Sequence, residues 1–230
     1  MPDSLTNITV IAASPRKGGN SSLAAVLLAE KIGQLTRQPC PVLHVREYPT
    51  TGCTGCGACG RAIAHWNRKD FAKSDLLENY RTLSESFLNT CPFHDADASA
   101  PLLKAIATAS LLVFVSPIYH YSLPSGAQAV LERLQPFFEF SRSPESCMVR
   151  RESAEFRWCQ PVFIAGRKQG PKLFEGSRLS LKYALAPLCY QMLPQVAFRG
   201  MDEIDSFNNS LASQSALLRL AATLVQKIAP

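Results

Sequence analysis

Short runs of β-branched and apolar residues, separated by longer stretches with helical spacing, restrict this chain to a small set of folds. Ile8-Thr9-Val10-Ile11-Ala12-Ala13 is such a run, and it stops at Ser14-Pro15. With no polar alternation it reads as a strand buried on both faces. The following stretch carries Leu23, Val26, Leu27, Leu28, Ile32 and Leu35 at helical spacing with a broad apolar face. Val42–Val45, Leu111–Val115, Pro161–Ala165 and Gln195–Phe198 supply four further strands. Helical patterns cover Pro101–Ala109, Ser125–Leu134, Glu175–Leu188 and Asn208–Ile228. Alternation of this kind implies βαβ crossovers and a parallel sheet. The expected fold class is therefore α/β: a doubly wound, five-stranded parallel sheet with helices on both faces. Gly60–Thr90 breaks the alternation and reads as an inserted helical segment, with Trp66, Phe71, Leu76, Leu77, Tyr80, Leu83 and Phe87 at amphipathic spacing. Phe140–Cys159 is polar and charged, and reads as a long loop or lid.

The length of 230 residues suits a single domain, 1–230, carrying those two elaborations. With 47% apolar and 18% charged residues, a mostly disordered chain is excluded. No stretch approaches the ~20 apolar residues of a membrane helix. Met1–Asn7 lacks the basic and apolar regions of a signal peptide, so a cytoplasmic location is expected. The net charge of +6 permits anionic ligands such as nucleotides. Its basic residues are scattered, with only the pairs Arg150-Arg151 and Arg167-Lys168, which argues against nucleic-acid binding.

Ser14-Pro15-Arg16-Lys17-Gly18-Gly19-Asn20-Ser21-Ser22 joins the first strand to the first helix. Such a turn can aim backbone N–H groups and hydroxyls at an anion on the helix N-terminus. It can equally be a capped surface turn, since Ser and Asn are ordinary capping residues. It lacks both the G-K-[ST] of a Walker loop and the G-x-G-x-x-G of a dinucleotide site, so a monophosphate fits better. Ser116-Pro117-Ile118-Tyr119-His120-Tyr121-Ser122 follows the third strand. In the strand order 2-1-3-4-5 both loops reach the crevice at the switch point. The aromatic loop can lie against a flat ring, or Tyr119 and Tyr121 can simply cover the sheet edge. A third loop, Ala165-Gly166-Arg167-Lys168-Gln169-Gly170, follows the fourth strand.

The segment Ile8–Leu28, with Ser-Pro-Arg-Lys-Gly-Gly-Asn-Ser at its centre, resembles the opening of the NADPH-dependent FMN reductase and iron–sulfur flavoprotein family. Ser116-Pro117-Ile118-Tyr119 and the helix after it resemble the same family. The resemblance implies a flavodoxin-like fold. It also implies that Ser14, Arg16, Asn20, Ser21 and Ser22 hold the FMN phosphate, and that Pro117, Ile118, Tyr119, His120 and Gly166 border the isoalloxazine. The implied activity is electron transfer from NAD(P)H through FMN to an acceptor, with the flavin carrying the chemistry and no catalytic side chain. Relatives of this kind pair as homo-oligomers, and the Gly60–Thr90 insertion could serve such a contact.

Three of the eight cysteines form Cys53-Thr54-Gly55-Cys56-Gly57-Ala58-Cys59, a C-x2-C-x2-C pattern whose glycines permit tight turns. Thiolates at this spacing can curl around one metal centre, and cubane clusters need four ligands. In the iron–sulfur flavoproteins that this segment resembles, a fourth cysteine follows closely; here the next is Cys91, in Cys91-Pro92-Phe93-His94-Asp95-Ala96-Asp97. An insertion at Gly60–Thr90 would leave Cys53, Cys56, Cys59 and Cys91 as the ligands of a [4Fe–4S] cluster. Zinc with three cysteines and His65 or His94, a Cys53–Cys56 dithiol, and a motif without metal are the alternatives. With a cluster, the chain could instead carry electrons between protein partners. Cys40, Cys147, Cys159 and Cys189 are isolated and read as buried thiols. No H-E-x-x-H or G-x-S-x-G is present, so hydrolytic chemistry has no support.

Overall fold

The computed structural model describes residues 7–65, 86–142 and 157–228. The strands are β1 (Ile8–Ala12), β2 (Val42–His44), β3 (Leu111–Pro117), β4 (Arg157–Ala165), β5 (Tyr190–Met192) and β6 (Val196–Arg199). All pair in parallel, in the order β2-β1-β3-β4-β5, with β6 also on β4. The helices are α1 (Asn20–Thr36), α2 (Ala58–Ala64), α3 (Ala100–Thr108), α4 (Ser125–Glu132), α5 (Gln135–Ser141), α6 (Glu175–Leu185) and α7 (Leu211–Ile228). The expected doubly wound, flavodoxin-like architecture with order 2-1-3-4-5 is the one observed.

The period-2 geometry of the strands divides the core in two. Val10, Val113, Val115, Val162 and Ile164 face α1 and α7, meeting Ala24, Leu28, Ile32, Leu217, Ala221 and Leu224. Ile11, Leu112, Phe114 and Phe163 face the other way, onto Leu102, Ile106, Val130, Phe137 and Leu181. β3 is buried on both faces along Leu111–Ser116, as an unbroken apolar run predicts. Among the described residues, no helix is long and apolar enough to cross a membrane.

Two strand boundaries differ from expectation. The fifth position is not one strand at Gln195–Phe198 but two pieces, and it begins earlier, at Tyr190. Pro194 has no N–H for the ladder and interrupts it. Gln160 Nε2 fills the gap by donating to Pro194 O and Pro161 O, both at 2.9 Å. β4 begins at Arg157, inside the expected 140–159 loop, and α5 takes the other end of that loop; residues 143–156, with Cys147 and Arg150-Arg151, lie outside the described residues.

Arg157 disguised the start of β4, because an arginine inside a buried strand reads as a loop residue. Its guanidinium is satisfied by carbonyls: Ala107 O at 2.7 Å, Ala109 O at 2.8 Å, Leu188 O at 3.0 Å and Ile106 O at 3.2 Å. The Tyr190 hydroxyl accepts a further bond at 2.9 Å, and the Tyr190 ring lies 4.3 Å from the guanidinium carbon. Burial pushes the Tyr190 phenol up to about 12, so it stays neutral and donates to Ile106 O. The pair thus closes the carbonyl end of α3, which the helix leaves open.

The inserted segment is helical at its described ends, in α2 and at residues 86–89. Ile63, Phe87 and Leu88 join the core, and Phe87 packs between Phe137 and Phe140 at 5.7 and 4.3 Å. Trp66 to Leu83 of the predicted amphipathic pattern lie outside the described residues.

Arg157→Ala should lower unfolding stability by about 3 kcal/mol or more, because buried carbonyls and the Tyr190 hydroxyl lose a charged donor. Urea denaturation followed by circular dichroism measures this; a loss below about 1 kcal/mol would contradict the capping role.

Candidate functional site

The parallel sheet sends the loops after β1, β3 and β4 to one end, where they enclose a cavity of about 570 Å³. Of the predicted site residues, Ser14, Arg16, Asn20, Ser21, Pro117, Ile118, Tyr119 and Gly166 line it; Ser22 and His120 do not. Lys17, Arg167 and the segment Met201–Ile204 complete the wall.

At the β1 end, Ser14 Oγ accepts from the Arg16 amide at 3.2 Å and folds the loop back on itself. Gly18 takes φ +68°, which admits the turn into α1. No side chain caps the N-terminus of α1, where Gly19 is the N-cap. Its first-turn amides therefore face the loop without an intrahelical partner, at the positive end of a 17-residue helix. Arg16 and Lys17 add positive charge beside them. Ser22 is buried behind the loop: its hydroxyl donates to Arg16 O at 3.2 Å and accepts from Arg46 Nη1 at 3.3 Å. Arg46 also bonds His44 Nδ1 at 2.9 Å, and burial together with that guanidinium lowers the His44 pKa.

Asn20 has a different occupation from the one expected. Its Nδ2 donates to Met201 O at 3.1 Å and Glu203 O at 2.8 Å, and its Oδ1 accepts from the Phe207 amide at 3.0 Å. One side chain thereby pins the 201–207 loop against α1. Met201 N donates to Ala165 O at 3.0 Å and fixes the loop's other edge. Gly166 is required by the same packing, since a Cβ there would overlap the Asp202 carboxylate.

After β3, Tyr119 and Ser122 exchange both backbone bonds at 2.9 Å, closing a two-residue turn. Its central residues, His120 and Tyr121, take φ +50° and +63°, the left-handed values of a type I′ turn. Each such residue without glycine costs roughly 1–2 kcal/mol. Tyr121 is held there from three sides. Arg167 Nη1 donates to its hydroxyl at 2.7 Å, Gly170 makes room beside that hydroxyl, and Gly176 makes room for its carbonyl. His120 and Tyr121 border a second cavity of about 260 Å³, which shares Ile118, Gly166 and Arg167 with the first.

The cysteine loop forms a separate cavity of about 290 Å³, and all four expected ligands, Cys53, Cys56, Cys59 and Cys91, border it. Gly55 at φ +66° and Gly57 at φ +70° make the turns that bring them round. The Cys53 amide donates to Glu132 Oε2 at 3.2 Å. Burial, then the charges of Glu139, Cys91 and Cys53, push the Cys59 thiol up, against the Gly60 amide. Among the described residues no group of three or more His, Cys, Asp or Glu side chains is placed to hold a metal ion, the four expected cysteines included. His65 and His94 are not on the cavity wall, so the zinc alternative finds no Cys3His set.

The cavity is anchored through Asp97. Its Oδ2 accepts from the Thr51 amide at 2.9 Å and Arg133 Nη1 at 2.7 Å, and its Oδ1 from the Ser99 amide at 2.9 Å. Burial would raise this carboxyl, but donors from Ser99, Thr51 and Arg133 outweigh it and bring it to about 2.

Residues 6–151 match the model of the family described as NADPH-dependent FMN reductase. The chain belongs to this family. Its members are FMN-binding, NAD(P)H-dependent oxidoreductases of the flavodoxin-like fold. No curated protein sequence matches the chain. Solved structures align over nearly its whole length at low identity, and so bear on the fold. An azoreductase from Bacillus anthracis str. Sterne is 13% identical, with 97% of this chain and 100% of that one covered and a TM-score of 0.57. An NAD(P)H:quinone oxidoreductase from Methanothermobacter marburgensis is also 13% identical, with 94% of each chain covered and a TM-score of 0.57. RosB with a bound riboflavin-phosphate intermediate is 13% identical, with 96% and 80% covered and a TM-score of 0.58. The family match carries the flavin half of the expected resemblance; nothing among the described residues supports the iron–sulfur half.

Sequence reading missed the 201–204 wall and the Arg167–Tyr121 clasp. The signal for the wall was Gly200 after the last strand, a turn at the same sheet end as the other loops.

Asp97→Asn should destabilise the fold by about 2 kcal/mol at pH 7, since Arg133 loses its carboxylate. The Asp97 contribution is complete above the unfolded value of about 4 and is lost as pH falls through about 2. The gap between wild type and variant should therefore close between about pH 4 and pH 2. Urea titrations across that range check it, and a gap that persists at about pH 2 would contradict the assignment.

Proposed function

We propose that this chain binds FMN in the 570 Å³ cavity and passes electrons from NAD(P)H to an acceptor still to be identified. The observation that carries the reading is the convergence of an uncapped helix N-terminus, Arg16 and an aromatic, proline-stiffened loop on one cavity. The residues fit the group. Amides of the first turn of α1, Ser14, Ser21 and Arg16 hold the phosphate, with Ser22 bracing the loop from behind. Asn20 takes part through its backbone while its side chain keeps the 201–207 wall in place. Pro117, Ile118, Tyr119 and Gly166 border the ring, and His120 shapes the turn beside it. When bound, FMN supplies the two-electron chemistry; the protein orients it, sets its surroundings and sheds water from the ring. No side chain is assigned as acid or base.

Among the described residues Cys40, Cys53, Cys56, Cys59, Cys91 and Cys159 are free thiols, which suits a reducing cytoplasm. Ile204, on the cavity wall, and Leu211 are 86% and 77% exposed, and a second copy of the chain covering them forms part of this reading.

The test is FMN binding by fluorescence quenching, followed by NADH and NADPH oxidation. Wild type should bind FMN and turn over a nicotinamide, and Arg16→Ala should weaken FMN binding by about tenfold to a hundredfold. A folded wild type that ignores FMN would overturn the proposal.

A second reading is favoured by one observation, the four cysteines around a single cavity. In this reading the chain is an iron–sulfur flavoprotein that carries electrons between protein partners. Iron and acid-labile sulfide near four per chain in anaerobically purified protein, with no nicotinamide turnover, would select it; iron-free protein with turnover would remove it.

A further inference from the structure

The 570 Å³ cavity takes cations from two different loops. Arg16 and Lys17 follow β1, and Arg167 follows β4, with β3 between those strands in the sheet. FMN carries a single phosphate, and the cations on the β1 side serve it. Arg167 is then a second cationic pole that FMN leaves without a ligand. It is exposed, yet its orientation is fixed. Nη1 donates to the Tyr121 hydroxyl at 2.7 Å, and the guanidinium carbon lies 5.7 Å from the centre of the Tyr121 ring. Among the described residues Nε and Nη2 have no hydrogen-bond partner, and no carboxylate pairs with Arg167. Those two nitrogens form one edge of the guanidinium, which can meet a phosphate through two parallel N–H bonds.

Arg167 also borders the second cavity, of about 260 Å³, which shares Ile118 and Gly166 with the first. No carboxylate among the described residues borders this smaller space, whereas Asp202 and Glu203 border the larger one. Further cations gather beside it. Arg199 reaches Gly170 O with Nη2 at 3.4 Å, and its guanidinium carbon lies 4.8 Å from the centre of the Phe174 ring. Gly170 is also packed against Arg167, whose Cδ would stand 3.6 Å from a Cβ there. The Lys168 side chain lies over Gly200, where a Cβ would come within 3.3 Å of it. Neither Lys168 nor Arg199 pairs with a carboxylate among the described residues; Lys172, 3.9 Å from Glu175, does.

We propose that Arg167 is the phosphate anchor of the pyridine nucleotide, binding one of its phosphates through Nε–H and Nη2–H at the junction of the two cavities; this rests on FMN lying in the larger one. The hydride donor is a polyanion that must reach the same cavity as the flavin, and Arg167, Lys168 and Arg199 supply the opposite charge at its entrance. NADH offers a diphosphate bridge, and NADPH adds a phosphate on the ribose. Tyr121 is a positioning residue. The strained turn at His120-Tyr121 sets its hydroxyl where it holds Nη1 and leaves the other edge of the guanidinium free.

The experiment uses the full chain loaded with FMN, as wild type, Arg167→Ala and Tyr121→Phe. Anaerobic stopped-flow mixing follows the loss of flavin absorbance with NADPH, NADH and the phosphate-free donor N-benzyl dihydronicotinamide, so no acceptor is required. Calorimetric titration with NADP+ reads binding without turnover. In Arg167→Ala the apparent Kd for the nucleotide should rise about tenfold to a hundredfold relative to that for N-benzyl dihydronicotinamide, with NADP+ binding weakened alike. Tyr121→Phe keeps the charge and loses the anchor, so it should show a smaller rise of the same selectivity. It decides the matter alone if Arg167→Ala fails to load FMN. A rise shared by NADH and NADPH assigns the guanidinium to the diphosphate bridge, and a rise for NADPH alone assigns it to the ribose phosphate. Nucleotide affinities that do not change, or that weaken only in step with the phosphate-free donor, would overturn the anchor and leave FMN binding standing. So would a loaded wild type that neither nucleotide reduces. A wild type that ignores FMN would overturn that reading and this inference with it.

Discussion

Parallel pairing of the strands is the constraint on which everything else in this molecule depends. A parallel sheet needs a crossover after every strand, so every loop that leaves a strand's carboxyl end emerges on the same side. β1 and β3 are neighbours in space although almost a hundred residues separate them in the chain, and their pairing sets Ser14 beside Pro117. β3 can hold that position because it is apolar on both faces. The crevice is therefore a consequence of topology before any side chain contributes to it.

The loops are then fixed by polar contacts that serve position more than chemistry. Asn20 bridges α1 to a loop nearly two hundred residues away, and Ser22 braces the backbone of Arg16. The turn at His120-Tyr121 stores backbone strain, offset by the Arg167 bond and by two glycines that admit the ring and its carbonyl. Strain held by surrounding contacts beside a cavity is a recurring property of preorganised sites. Here it keeps Tyr119 and Ile118 on the wall of the 570 Å³ cavity.

Two buried arginines illustrate how one residue type can be held in different ways. Arg157 is surrounded by carbonyls and a phenol, and it closes the end of α3. Arg133 is held at one nitrogen by Asp97 and a carbonyl, and its other two nitrogens have no hydrogen-bond partner among the described residues. In sequence both are lone basic residues on the edge of an apolar run. Their hydrogen-bond partners are what separate them, and those partners are set by the assembled layers.

The amino-acid sequence by itself determined the class of fold, the sheet order and the three loops at its carboxyl edge. The elements follow from local periodicity, since a β-branched apolar run and a helical apolar face are each written within a few residues, while the sheet order came with the flavodoxin-like resemblance. It also carried the C-x2-C-x2-C turn and the grouping of Cys91 with it across the insertion. Only the tertiary structure decided that Asn20 binds the 201–207 loop, that Gly166 yields space to Asp202, and that Pro194 splits the fifth position of the sheet. It alone placed Arg157 inside β4 and Arg133 beside the cysteines. The reason is physical: a polar side chain's partner is set by which distant backbone and side-chain groups the packed layers bring within about 3 Å, and local pattern holds no record of that distance.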